Sequence, residues 1–120
     1  MRMWMVDSRI LCQKHLCGEH VELHMFLGHL NRGRKIDGYI DNNLIEPKSI
    51  YQRHFELAVE MSNRGYNHKS HITNSECQCI LKLPEDQRDN KINKEDALEE
   101  LLNRCDLCKE RYERLRNAEF

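Results

Sequence analysis

The chain has 120 residues, 39% apolar and 32% charged, with a net charge of −1. That suffices for one domain with a modest core and is too balanced for a dedicated basic nucleic-acid module. No apolar run approaches membrane-spanning length, and the opening MRMWMVDSRILC, interrupted by Asp7, does not read as a secretory leader, so a cytoplasmic protein with mostly reduced cysteines is expected.

Asp7 or Ser8 can cap a first helix that runs to about Leu30 and stops at the Asn-Arg-Gly punctuation of residues 31–33. Cys12, Leu16, Leu23, Leu27 and Leu30 recur at helical spacing and form its core stripe. The segment RGRKIDGYIDNN, residues 32–43, is rich in Gly, Asp and Asn and reads as an irregular connection. Pro47 suits the first turn of a second helix and Gly65 its carboxyl end. Ile50, His54, Leu57, Ala58 and Met61 share a face of that helix. Residues 66–90 are polar and broken by Pro84, which predicts loops with one short strand around residues 79–83. A third helix starts near Asn93, with Glu95 and Asp96 where the helix dipole favours negative charge. Its seam runs Leu98, Leu101, Leu102, Cys105, Cys108, Tyr112 and Leu115. The expected fold is all-α: a compact single domain, 1–120, of about three main helices with long irregular connections.

Charge is uneven along this plan. Residues 1–72 carry ten Lys/Arg against eight Asp/Glu and all seven histidines, whereas residues 73–120 carry nine against twelve. The amino-terminal part is the better partner for an anion.

Residues 18–30, GEHVELHMFLGHL, gather three histidines and two glutamates. His20 and His24, four apart, suit two imidazole ligands. Glu22 lies about 200° round the helix from His20 and cannot face the same metal. With no evident third ligand, no catalytic metal is expected. His15, Glu19, Glu22, Phe26 and His29 fall in a narrow arc beside the leucine stripe. Spacing alone reads that arc as a solvated face. Two carboxylates three apart can also raise one pKa, which suits proton transfer.

A second set of residues weighs against the solvated face. His15-Leu16, Glu19, Glu22-Leu23 and Gly28, then Arg53, Glu56-Leu57, Glu60 and RGYN at residues 64–67, resemble the small phage pyrimidine-dimer DNA glycosylase/AP-lyase family of endonuclease V type and its bacterial relatives, which open with a Met-Arg pair. The resemblance covers about residues 1–72, the glycosylase-like core, and leaves 73–120 as a divergent loop plus helix. It implies a compact all-helical enzyme that acts on double-stranded damaged DNA as a monomer, with no membrane and no cofactor. It also implies a mechanism in which the terminal α-amine attacks C1′ of the damaged nucleotide, expels the base and forms an imine. By position the terminal residue is Met1, the assisting glutamate is Glu22, and Arg2, His15 and Glu19 are active-site neighbours. Arg2 is large, so Met1 is expected to be retained. α-Amines ionise near ~7.7–8.0 and lysines near ~10.4, so a terminal amine is the readier nucleophile.

The chain departs from the family where arginines flank the catalytic glutamate and hold phosphates; those positions are Val21 and Met25 here. The family's aromatic carboxyl tail is also replaced by an acidic, cysteine-containing helix. Phosphate contacts then fall to Arg2, Arg32, Arg34, Lys35, Arg53, Arg64 and Lys69. Trp4, Tyr39 and Tyr66 stand as either base-flipping wedges or plain core. The substrate is therefore a damaged DNA that need not be a pyrimidine dimer. Cys77-x-Cys79 and Cys105-x-x-Cys108 can together make a four-thiolate zinc site, but Cys105 and Cys108 also fit the apolar seam as small hydrophobes, the favoured reading. Cys12 and Cys17 face different ways and make no pair. The alternative to the enzyme is a non-catalytic nucleic-acid or host-protein binder on the same scaffold. A cleft holding both Met1 and Glu22 favours the enzyme.

Overall fold

The computed structural model describes residues 1–118. Among them the fold is all-α, as expected, but its helices come in more pieces than three. Asp7 caps only a 3₁₀ turn, Ser8–Ile10, through the Arg9 amide (3.0 Å). The chain then extends through Leu11, and α1 spans Gln13–Asn31 from Cys12, an N-cap residue that makes no side-chain capping bond. The first helix thus starts later than its cap signal suggested.

Both long helices end as their glycines demand. Gly33 (φ 71°) follows α1, and its amide and that of Arg34 return to the carbonyls of Leu30 and His29. α3, Ile50–Asn63, ends likewise at Gly65 (φ 81°), with Gly65 and Tyr66 returning to Ser62 and Met61. This is the Schellman arrangement, in which a left-handed residue lets two otherwise unpaired carbonyls be satisfied. Between them, the connection at residues 32–43 holds a one-turn helix, α2, Asp37–Asp41. Pro47 opens a 3₁₀ turn, Pro47–Ser49, that leads into α3.

The strand expected at residues 79–83 is absent; Glu76–Lys82 is a 3₁₀ helix packed on α1. So short an apolar run has no sheet to join in a domain whose other elements are helices. After the single turn α4, Glu85–Arg88, Asn93 caps the Asp96 amide (3.0 Å) and starts the expected third helix. That helix breaks. α5 is Lys94–Arg104, Cys105 is extended (φ −127°, ψ 109°), and α6 is Asp106–Ala118. The seam read as one helix is shared between two.

The leucine stripe of α1 is buried throughout, and α1 packs on α3. The amino-terminal segment is anchored on the core. The Met3 amide bonds the Leu44 carbonyl (2.8 Å), and Met3, Trp4 and Val6 are buried. Arg53 of α3 reaches the Val6 carbonyl (2.7 Å) and forks onto Glu19 of α1 at 2.6 and 2.9 Å. This buried ion pair fixes the amino-terminal segment against both long helices. α6 packs on the turn at Ser8–Ile10, where Arg111 donates to the Arg9 carbonyl (3.0 Å).

Candidate active site

Because α1 runs beside the anchored amino-terminal segment, Glu22 meets the start of the chain. Its Oε2 accepts the Arg2 backbone amide at 3.1 Å, and the Met1 α-amine is three covalent bonds from that amide. Met1, Arg2, Glu22, His15, Glu100 and Arg104 are among the residues lining a cleft of about 610 Å³. A carboxylate here can accept a proton from, or stabilise a cation on, a group bound at the terminal amine.

The expected neighbours take different roles. Glu19 borders the cleft, yet both its carboxylate oxygens are held by Arg53, so it braces the fold. Arg2 lies over the Trp4 ring (3.7 Å) and pairs with Glu100 (2.7 Å), while its Nε is buried without a hydrogen-bond partner. Trp4 is therefore cleft floor, 4% exposed, and not a protruding wedge. His15 packs edge-on to Trp4, and its Nδ1 is turned to the sulfurs of Cys12 (3.2 Å) and Cys108 (3.7 Å). Burial, with Lys14 and Arg104 nearby, holds its pKa below the ordinary imidazole range.

Glu100 and Arg104 are cleft residues that sequence reasoning missed. Their only local signal is an i,i+4 pair on α5, which says nothing of the partner Arg2, 98 residues away.

A second depression, about 390 Å³, adjoins the first at Met1 and is lined by Val21, Met25, Arg32 and Arg34 among others. Val21 and Met25, 53% and 49% exposed, thus sit on the face beside Met1. Arg32, Arg34, Lys35 and Lys69 are exposed and free to meet phosphates. Arg53 is not: it is 2% exposed and held by Glu19, Glu56 and the Val6 carbonyl. Arg64 is tied to Glu60 (2.7 Å) and to the carbonyls of Ser8 and Arg9. Arg53 and Arg64, two of the arginines read from the sequence as phosphate contacts, are structural clamps. Tyr39 packs edge-on to Phe26, and Tyr66 is half-buried.

Two donor clusters form elsewhere. His20, His54 and His68 bring ring nitrogens within 4.8 Å of one another, with His20 Nε2 and His68 Nε2 2.8 Å apart. His24 packs against His20 and His54, but it is His54 and His68, distant in sequence, that complete the cluster. Burial first, then the neighbouring imidazoles, push His20 and His54 down to about 4. The cysteine set differs from the one that spacing suggested. Cys105 and Cys108 meet Cys12 and His15, and neither Cys77 nor Cys79 joins them.

Comparison with family models matches residues 1–74 to a family described as pyrimidine dimer DNA glycosylase. No curated protein and no solved structure matches the chain. The matched segment holds Met1, Arg2, His15, Glu22 and the basic loop; the Glu100 and Arg104 wall of the cleft lies outside it.

Proposed function

The chain belongs to the pyrimidine dimer DNA glycosylase family, and from that premise we propose that it excises a damaged base and then cuts the abasic strand, with the Met1 amine as nucleophile and Glu22 as its acid–base partner. The neutral amine attacks C1′ of the damaged nucleotide. The C1′–N glycosidic bond breaks, and the base leaves with the bonding pair and takes up a proton. The sugar ring opens, leaving an imine between the Met1 nitrogen and C1′. Loss of a proton from C2′ then drives cleavage of the C3′–O bond, and the 3′ phosphate departs. Glu22 stabilises the cationic sugar and imine and accepts the C2′ proton.

The observation that carries this reading is the contact between Glu22 Oε2 and the Arg2 amide, in the cleft that Met1 also lines. Arg32, Arg34 and Lys35 follow α1 directly and are placed to track the backbone of the DNA. The competing reading, a non-catalytic binder, has one observation in its favour: the face beside Met1 carries exposed Val21 and Met25 where the family has arginines. Single-turnover assays on abasic-site DNA separate the two. Glu22→Gln should keep its helicity and DNA binding and lose about 10²–10⁴-fold in strand cleavage. Cleavage as fast as wild type, or none by the wild type itself, overturns the enzyme.

A further inference from the structure

We propose that Cys12, His15, Cys105 and Cys108 bind a structural zinc ion that staples the carboxyl-terminal helices to the family core. The four donor atoms, Sγ of the cysteines and Nδ1 of His15, all lie within 4.8 Å of one another. They come as two i,i+3 pairs, C-x-x-H at the start of α1 and C-x-x-C at the α5–α6 break.

Three of the six separations lie close to those of a coordination shell. With Zn–S near ~2.3 Å and Zn–N near ~2.0–2.1 Å, a tetrahedron has S···S edges of about 3.8 Å and S···N edges of about 3.6 Å. Cys12 Sγ and Cys105 Sγ are 3.8 Å apart, and His15 Nδ1 is 3.2 Å from Cys12 Sγ and 3.7 Å from Cys108 Sγ. The sulfur pair is far beyond the ~2.05 Å of a disulfide.

Two further features fit sulfurs arranged as ligands. The Cys12 amide points at Cys108 Sγ (3.2 Å) and the Cys108 amide at Cys105 Sγ (3.5 Å), and N–H donors of this kind favour the charged sulfur. The helix also breaks at Cys105, inside a seam whose apolar spacing would let it continue. The extended residue presents its sulfur to Cys12. Cys12 heads α1 with its side chain unused for capping, which leaves its sulfur for the site.

Three sulfurs and one imidazole suit zinc over magnesium or calcium. With four protein ligands, the centre is closed and structural, not catalytic. Cys12 and His15 lie inside the family match and Cys105 and Cys108 beyond it. The ion therefore fastens α5, with Glu100 and Arg104, onto the cleft. The proposal stands independently of the roles given to Met1 and Glu22.

The test is zinc analysis of the untagged full chain purified without chelator, joined to cobalt substitution and cysteine alkylation. The proposal expects about one zinc per chain and a cobalt spectrum with thiolate charge-transfer bands. Cys12, Cys105 and Cys108 should resist alkylation until a chelator is added, while Cys17, Cys77 and Cys79 react before it. Chelation should lower Tm by about 10 °C or more. Cys108→Ser should weaken the thiolate bands and the chelator response; if that variant does not fold, the wild-type alkylation pattern decides alone. Any of three results overturns the proposal: no zinc with alkylation indifferent to chelator, a disulfide among the three cysteines, or metal with a nitrogen-only cobalt spectrum, which would put it at His20, His54 and His68.

Discussion

Replacing Glu19 by leucine should unfold the protein more readily while leaving the chemistry largely in place. Glu19 and Arg53 are 1% and 2% exposed, and the guanidinium forks onto the carboxylate at 2.6 and 2.9 Å. In Glu19→Leu the buried cation keeps only the Val6 carbonyl and Glu56, whose side chain is 43% exposed. Removing one partner of such a pair costs about 3–5 kcal/mol, because the other charge is left uncompensated. Against a total stability of about 5–15 kcal/mol, that is a large share. At a denaturant slope of about 2 kcal/mol per molar urea, the unfolding midpoint should fall by roughly 2 M. The double variant Glu19→Leu/Arg53→Met should recover most of the loss, since exchanging a whole buried pair for apolar groups is often neutral. Urea titrations of the two single variants and the double variant, followed by circular dichroism, measure this directly. A shift below about 0.5 kcal/mol in Glu19→Leu, or a double variant worse than either single one, would refute the buried-clamp reasoning. Below its midpoint, Glu19→Leu should still cleave abasic DNA far better than Glu22→Gln.

Neutralising Arg32, Arg34 and Lys35 together should weaken DNA binding and flatten its salt dependence, because fewer counterions are released. An unchanged salt slope would make this loop a mere solvated turn. The histidine cluster predicts acid sensitivity. With His20 and His54 at about 4 in the fold and near 6.5 when unfolded, the unfolded chain binds more protons between those values. Stability is then complete above pH 6.5 and declines as pH falls toward 4, and one such imidazole is worth on the order of 3 kcal/mol. His54→Gln should blunt the decline in a series of Tm measurements over this range; an equal slope in variant and wild type would rule the cluster out as its origin.

Where the signal was local, the sequence was readable. The leucine stripe, the glycine stops at Gly33 and Gly65, and the helix start near Asn93 depend on neighbours within a turn, and all appear as expected. The break at Cys105 left no trace in the periodicity, because α5 and α6 share one apolar seam. Glu22 emerged from the resemblance, whereas spacing alone would have left it on a solvated face. Arg53 and Arg64 misled because a basic residue looks the same in sequence whether it faces phosphate or a buried glutamate. His15 and Cys12 were seen separately from Cys105 and Cys108, since only the folded chain brings residues 93 positions apart together.

Borohydride trapping on abasic-site DNA tests the central claim most directly. The account predicts a covalent protein–DNA adduct that mass mapping places on the α-amine of Met1, and its loss when that amine is blocked by acetylation. No adduct, or one carried by a lysine with the Met1 amine unmodified, would contradict it.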